Sequence, residues 1–133
     1  MKALKRLIRL RKQKVDEHQQ FLGMLQERLN KLEQELKMIH HHLQAEQCAA
    51  TQSIEGTIAY VQYAATMKIR LEQVERLYKE SMIKYEQEQQ KLQELFGELK
   101  VLEIYHAEET KRHQKKIERR NQVFLDDLYA RQA

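Results

Sequence analysis

Residues 4–43 read LKRLIRLRKQKVDEHQQFLGMLQERLNKLEQELKMIHHHL. Leu4, Ile8, Arg11, Val15, His18, Leu22, Leu25, Leu29, Leu32, Leu36, Ile39 and Leu43 follow one another at alternating steps of four and three. An α-helix turns once in 3.6 residues, so that spacing keeps one narrow stripe facing a partner helix, the signature of a coiled coil. With Ile8, Val15, Leu22, Leu29, Leu36 and Leu43 at a positions, Leu25, Leu32 and Ile39 fall at d. Arg11 and His18 occupy d positions nearer the N-terminus, where weaker packing is expected.

A second seam follows at steps of three and four through Ala64, Met67, Leu71, Val74, Tyr78, Ser81, Tyr85, Glu88, Leu92, Leu95, Leu99 and Leu102. Ser81 and Glu88 fall on it while Met82 and Gln89 sit beside it, so a local adjustment of register is expected. After Leu102 the same positions become His106, Glu109, His113 and Lys116, and the apolar stripe ends. Ile117, Phe124 and Leu128 form a short terminal stripe of their own.

Between the seams lies CAATQSIEGTIA, residues 48–59, rich in small residues and hydroxyls and containing Gly56. It is the place for a chain reversal. A turn near residues 53 and 54 sets position 4 opposite about 103, where the second seam stops. The expected fold is all-α: a single coiled-coil domain forming a long antiparallel two-helix hairpin with a projecting C-terminal helix. Its helices are placed near 3–48 and 58–128 with the reversal at 49–57; at 1.5 Å per residue they would be roughly 68 Å and 105 Å long.

Composition supports the same reading. The 133 residues include no proline and three glycines, so little interrupts a helix or builds the loops of a globular pocket. Seven bases and no acid occupy residues 1–14, and residues 111–120 hold six bases against Glu118 alone. These blocks carry +7 and +5 of a chain whose net charge is +4, leaving the remainder at −8. Two basic patches on an acidic framework suit docking onto acidic surfaces.

Site chemistry is sparse. His40, His41 and His42 are adjacent, so successive helical positions splay them apart, and His106 and His113 are too far apart for one ion. Cys48 is a lone thiol, no Ser/His/Asp or Cys/His arrangement stands out, and the glycines make no phosphate-binding loop. The expectation is no enzyme: no catalytic, metal-binding or cofactor-binding residue. No run of about 20 apolar residues suggests a membrane span, and a cytoplasmic protein is the default.

The opening LIRLRKQKVDE from Leu7 to Glu17, the segment YVQYA from Tyr60 to Ala64, and the late ELKVLE with its continuation ETKRHQKKIERRNQVFLDDL resemble the FliJ family, coiled-coil components of the bacterial flagellar type III export apparatus. The resemblance covers nearly the full chain. It implies a stalk-like protein that couples a hexameric export ATPase to the cytoplasmic domain of the export gate, with export chaperones and the ATPase regulator as further candidate partners. It also implies a cytoplasmic location, peripheral to the inner membrane at the flagellar base, in a system serving motility and chemotaxis. Candidate ATPase contacts are Lys2, Lys5, Arg6, Arg9, Arg11 and Lys12 with Lys111, Arg112, Lys115, Lys116, Arg119 and Arg120. Positions matching the family's gate contacts are Glu35, Ile39, His42, Glu46, Tyr63, Met67, Arg70 and Val74; His42 and Glu46 stand where familiar relatives have aromatic residues. Among these, Tyr63 is the outward aromatic candidate, whereas Ile39, Met67 and Val74 fit the core or seam better than a direct contact.

Other readings stay open. A virulence-associated export stalk shares the same fold, and a generic coiled-coil scaffold follows from the heptads alone. Basic blocks can also contact phosphates, but the acidic middle and missing reading module give no expectation of specific nucleic-acid binding.

Overall fold

The computed structural model describes residues 2–132. Helix α1 spans Lys2–Ala50 and helix α2 spans Ile54–Gln132, 49 and 79 residues of uninterrupted α-helix. They form an all-α two-helix hairpin with extensive packing between the helices, coiled-coil-like in its seam.

The reversal is tighter than the 49–57 segment suggested: Thr51, Gln52 and Ser53 separate the helices, and α2 starts at Ile54 rather than near 58. Local hydrogen bonding explains the difference. Ser53 is an N-cap whose Oγ accepts from the Gly56 amide at 2.9 Å, satisfying one of the four free donors at the start of α2. Glu55 adds a negative charge in the first turn. At the other terminus the Thr51 hydroxyl donates to Cys48 O at 2.8 Å. The Thr57 hydroxyl lies 2.9 Å from both Ser53 O and Ala50 O, so one proton is shared between the start of α2 and the last residue of α1. Gly56 has no positive φ; it sits inside the first turn of α2.

Packing divides into two units. The first to describe is His18–Lys91, which contains the reversal. Its core consists of Leu22, Leu25, Leu29, Ile39, Ala50, Val74 and Ser81, with Val74 wholly enclosed. Leu32, Leu36, Leu43, Ala64, Met67, Leu71, Tyr78 and Tyr85 are half-buried on the same stripes. The core is therefore one seam wide, as expected for two helices with no third layer. No shift of register occurs at Ser81 and Glu88: Ser81 is buried and Glu88 half-buried, while Met82 and Gln89 remain exposed. A polar partner makes this possible, because His18 Nε2 lies 2.7 Å from Glu88 Oε2. That nitrogen is shielded from water and off the line of an aligned hydrogen bond, so the contact is one of proximity. Lys91 also reaches Glu88, at 3.3 Å.

The second unit combines the stretch through Glu17 with that from Leu92 onward. Val15 and Leu99 are buried there, and Leu4, Ile8, Arg11, Leu92, Leu95 and Leu102 are half-buried. The seam runs past Leu102, where its apolar pattern stops, because α1 still has residues to oppose it: His106, Glu109 and Thr110 are half-buried. Thr110 turns its hydroxyl back onto His106 O at 2.9 Å, and His106 Nε2 is enclosed with no hydrogen-bond partner among the described residues. From Lys111 through Gln132 every residue is exposed, and α2 continues there without a helix beside it.

Candidate partner-binding surfaces

The candidate cations all belong to the second unit. Lys2, Lys5, Arg6, Arg9 and Lys12 are exposed on α1, and Arg11 is half-buried. Arg11 reaches Glu98 Oε2 at 3.2 Å and Lys12 reaches Glu103 Oε1 at 3.7 Å, so these two bind their own hairpin. Among the described residues Lys2, Lys5, Arg6 and Arg9 form no ion pair. The register of the Arg11 pair carries Lys2 alongside the residues just before Lys111, which makes the two basic blocks neighbours. In the second block Arg112 pairs along its own helix with Glu109 at 3.2 Å and Glu108 at 3.8 Å. Lys111, Lys115, Lys116, Arg119 and Arg120 are exposed. Charges held in open water contribute little to folding stability, leaving them available to a partner.

The candidate gate residues all lie in the unit His18–Lys91 but do not form one surface. Ile39 and Val74 are buried between the helices, so neither offers a face to a second body while the hairpin is closed. Glu35 and Arg70 bind each other across the helices: Arg70 Nε donates to Glu35 Oε1 at 3.0 Å and Nη2 donates to the same oxygen. Met67 and Tyr63 are half-buried, and His42 and Glu46 are exposed. Tyr63 is less outward than its sequence position suggests; with Tyr60, Glu46, Ala49, Ala50, Gly56 and Ala59 it lines a shallow cleft beside the reversal. Small side chains from both helices create that cleft by leaving room where larger ones would fill the seam.

Sequence reasoning missed the His18–Glu88 layer, treating each residue as a defect in its own stripe. The signal was present, since a turn at residue 53 sets 18 opposite 88. It also missed Lys84, whose ammonium lies 5.6 Å from the Phe21 ring centre, a cation–π contact on the outside of the seam.

Among the described residues no group of three or more His, Cys, Asp or Glu side chains is placed to hold a metal ion. Cys48 is free and exposed, and no helix is long and apolar enough to cross a membrane. The class defined by this arrangement is a coiled-coil-like helical scaffold. No family model matches the chain, and no curated protein or solved structure matches it either.

Proposed function

We propose that this chain acts by binding, as a coiled-coil scaffold that engages partner proteins through separate surfaces on its two packing units, and that the assembly it serves is the flagellar type III export apparatus. The supporting observation is the set of cations on α1, Lys2, Lys5, Arg6 and Arg9, that form no ion pair among the described residues and lie next to the exposed block from Lys111 to Arg120. Such a surface suits an acidic partner and raises the rate of encounter with it. The likeness of residues 7–17, 60–64 and the late charged stretch to the FliJ family supplies the identity of that partner, a hexameric export ATPase. In the same reading the cleft at Tyr60 and Tyr63 engages the cytoplasmic domain of the export gate, since half-buried tyrosines offer both ring surface and a hydroxyl.

Direct binding of the purified chain to each partner tests the proposal. Reversing Lys5, Arg6 and Arg9 to Glu weakens ATPase binding and flattens its salt dependence, while leaving the gate interaction unchanged. Tyr63→Ala does the converse with helicity retained. A folded chain that binds neither protein leaves the general scaffold standing and removes the export assignment.

A further inference from the structure

Residues 111–132 of α2 form roughly 33 Å of helix in which every residue is exposed. Gln114, Ile117, Asn121, Phe124 and Leu128 follow one another at alternating steps of three and four, so they share one face, and none of them is charged. Phe124 is 63% exposed, and Ile117 and Leu128 are open beside it, with nothing covering them among the described residues. The remaining circumference carries two rows of bases at i,i+4 spacing, Lys111–Lys115–Arg119 and Arg112–Lys116–Arg120. With Arg131 these outweigh Glu118, Asp126 and Asp127 and leave the segment at +4. The same mixture recurs on α1 in this unit, where Leu7 and Leu10 stand exposed among Arg6, Arg9 and Lys14.

An apolar face on a helix whose other sides are basic selects its occupant by charge as well as by hydrophobicity. A second copy brings the same surplus of bases and is repelled. Nucleic acid offers phosphates to the rows but no hydrocarbon to the stripe. A groove on an acidic protein can line one flank of the helix, whereas the bases here lie in two rows spread around it. The potential of an anionic bilayer reaches about one Debye length, ~8–10 Å, and so takes in both rows of a helix roughly 10–12 Å across.

We propose that residues 111–132 are an interfacial helix for an anionic phospholipid surface, with Ile117, Phe124 and Leu128 sunk among the acyl chains and the bases held at the headgroup phosphates. The helix lies on the bilayer rather than across it, since no helix of the described residues is long and apolar enough to span one. Headgroup anions also relieve the repulsion between like charges along each row. This inference goes beyond the export reading, which makes no use of the apolar stripe, and does not rest on it.

Flotation of the full chain with vesicles tests the proposal, comparing phosphatidylcholine alone with an equimolar mixture of phosphatidylcholine and phosphatidylglycerol. Binding is expected to the mixed vesicles only and to fall as salt is added. It weakens at least about tenfold when Phe124→Gln and Leu128→Gln are combined, and again when Lys115→Glu and Lys116→Glu are combined. Glutamine keeps the helix propensity and every charge, so loss in the first pair reports insertion among acyl chains rather than attraction of counterions. All four positions are exposed and outside the paired seam, so the unfolding temperature of the hairpin stays that of the parent. Hydrogen exchange on the mixed vesicles is expected to slow within residues 111–132. No flotation, equal flotation with both kinds of vesicle, binding indifferent to the paired glutamines, or protection confined to other residues overturns the proposal. A chain that ignores vesicles but binds poly-glutamate assigns the bases to an acidic protein and equally overturns it.

Discussion

At the scale of single residues, the hairpin depends on a few polar side chains that hydropathy undervalues. Ser53 is one: Ser53→Ala removes the acceptor for the Gly56 amide and is expected to cost about 1 kcal/mol in thermal unfolding. Gly97 acts in the opposite direction. It lies in mid-helix with open space where a Cβ would go, so Gly97→Ala raises stability by about 0.5–1 kcal/mol in the same assay. At the seam, either His18→Leu or Glu88→Leu leaves a half-buried polar partner uncompensated. Replacing both by Leu is expected to give a protein more stable than either single variant, with the coupling read from a double-mutant cycle. The wild-type pair opposes a slip in one direction: sliding the helices by a heptad that way sets His18 against Leu95 and Glu88 against Leu25, whereas the opposite slip sets them against Ser81 and Arg11.

At the scale of helices, the four-and-three spacing made both seams legible residue by residue, because backbone geometry alone dictates which positions share a face. The end of pairing was less legible. Hydropathy marks Leu102 as the last apolar member, but half-burial persists to Thr110 because the length of the opposing helix, not the next residue's polarity, decides what is covered. The start of α2 was obscured for another reason. Gly56 looks like a turn residue in sequence, whereas here its amide serves a cap inside a helix. Beyond Thr110, α2 has no neighbour, and Lys111–Lys115, Arg112–Lys116, Lys115–Arg119 and Lys116–Arg120 are like-charge pairs at i,i+4, each unfavourable by about 0.2–0.5 kcal/mol. Amides in residues 111–132 are therefore expected to exchange fastest in hydrogen-exchange mass spectrometry, to slow with added salt, and to slow further when an acidic partner binds. Equal protection along the whole of α2 would contradict this.

For the molecule as a whole, the candidate surfaces were legible only where exposure follows from charge. The basic blocks remain on the outside, as charged side chains on a two-helix fold must. The gate set was chosen by matching positions to a family rather than by asking which side chains face the partner helix, although the seams already put Ile39 and Val74 on the inner stripes. Hence Ile39 and Val74 fall in the core, and Glu35 and Arg70 spend their charges on each other. That cross-helix pair carries its own test: Arg70→Glu lowers the unfolding temperature, and adding Glu35→Arg recovers part of the loss.

The shared hydroxyl of Thr57 has a consequence in time. It joins groups seven residues apart, Thr57 and Ala50, whereas Arg70 and Glu35 are separated by 35 residues. Closing a short loop sacrifices less chain entropy than closing a long one, so the first contacts between the helices form at the reversal, and pairing then spreads outward one heptad after another. Folding thus has a starting point where Thr57 meets Ala50 and Ser53, and Thr57→Val is expected to slow refolding in stopped-flow kinetics while scarcely altering the rate at which the finished hairpin comes apart.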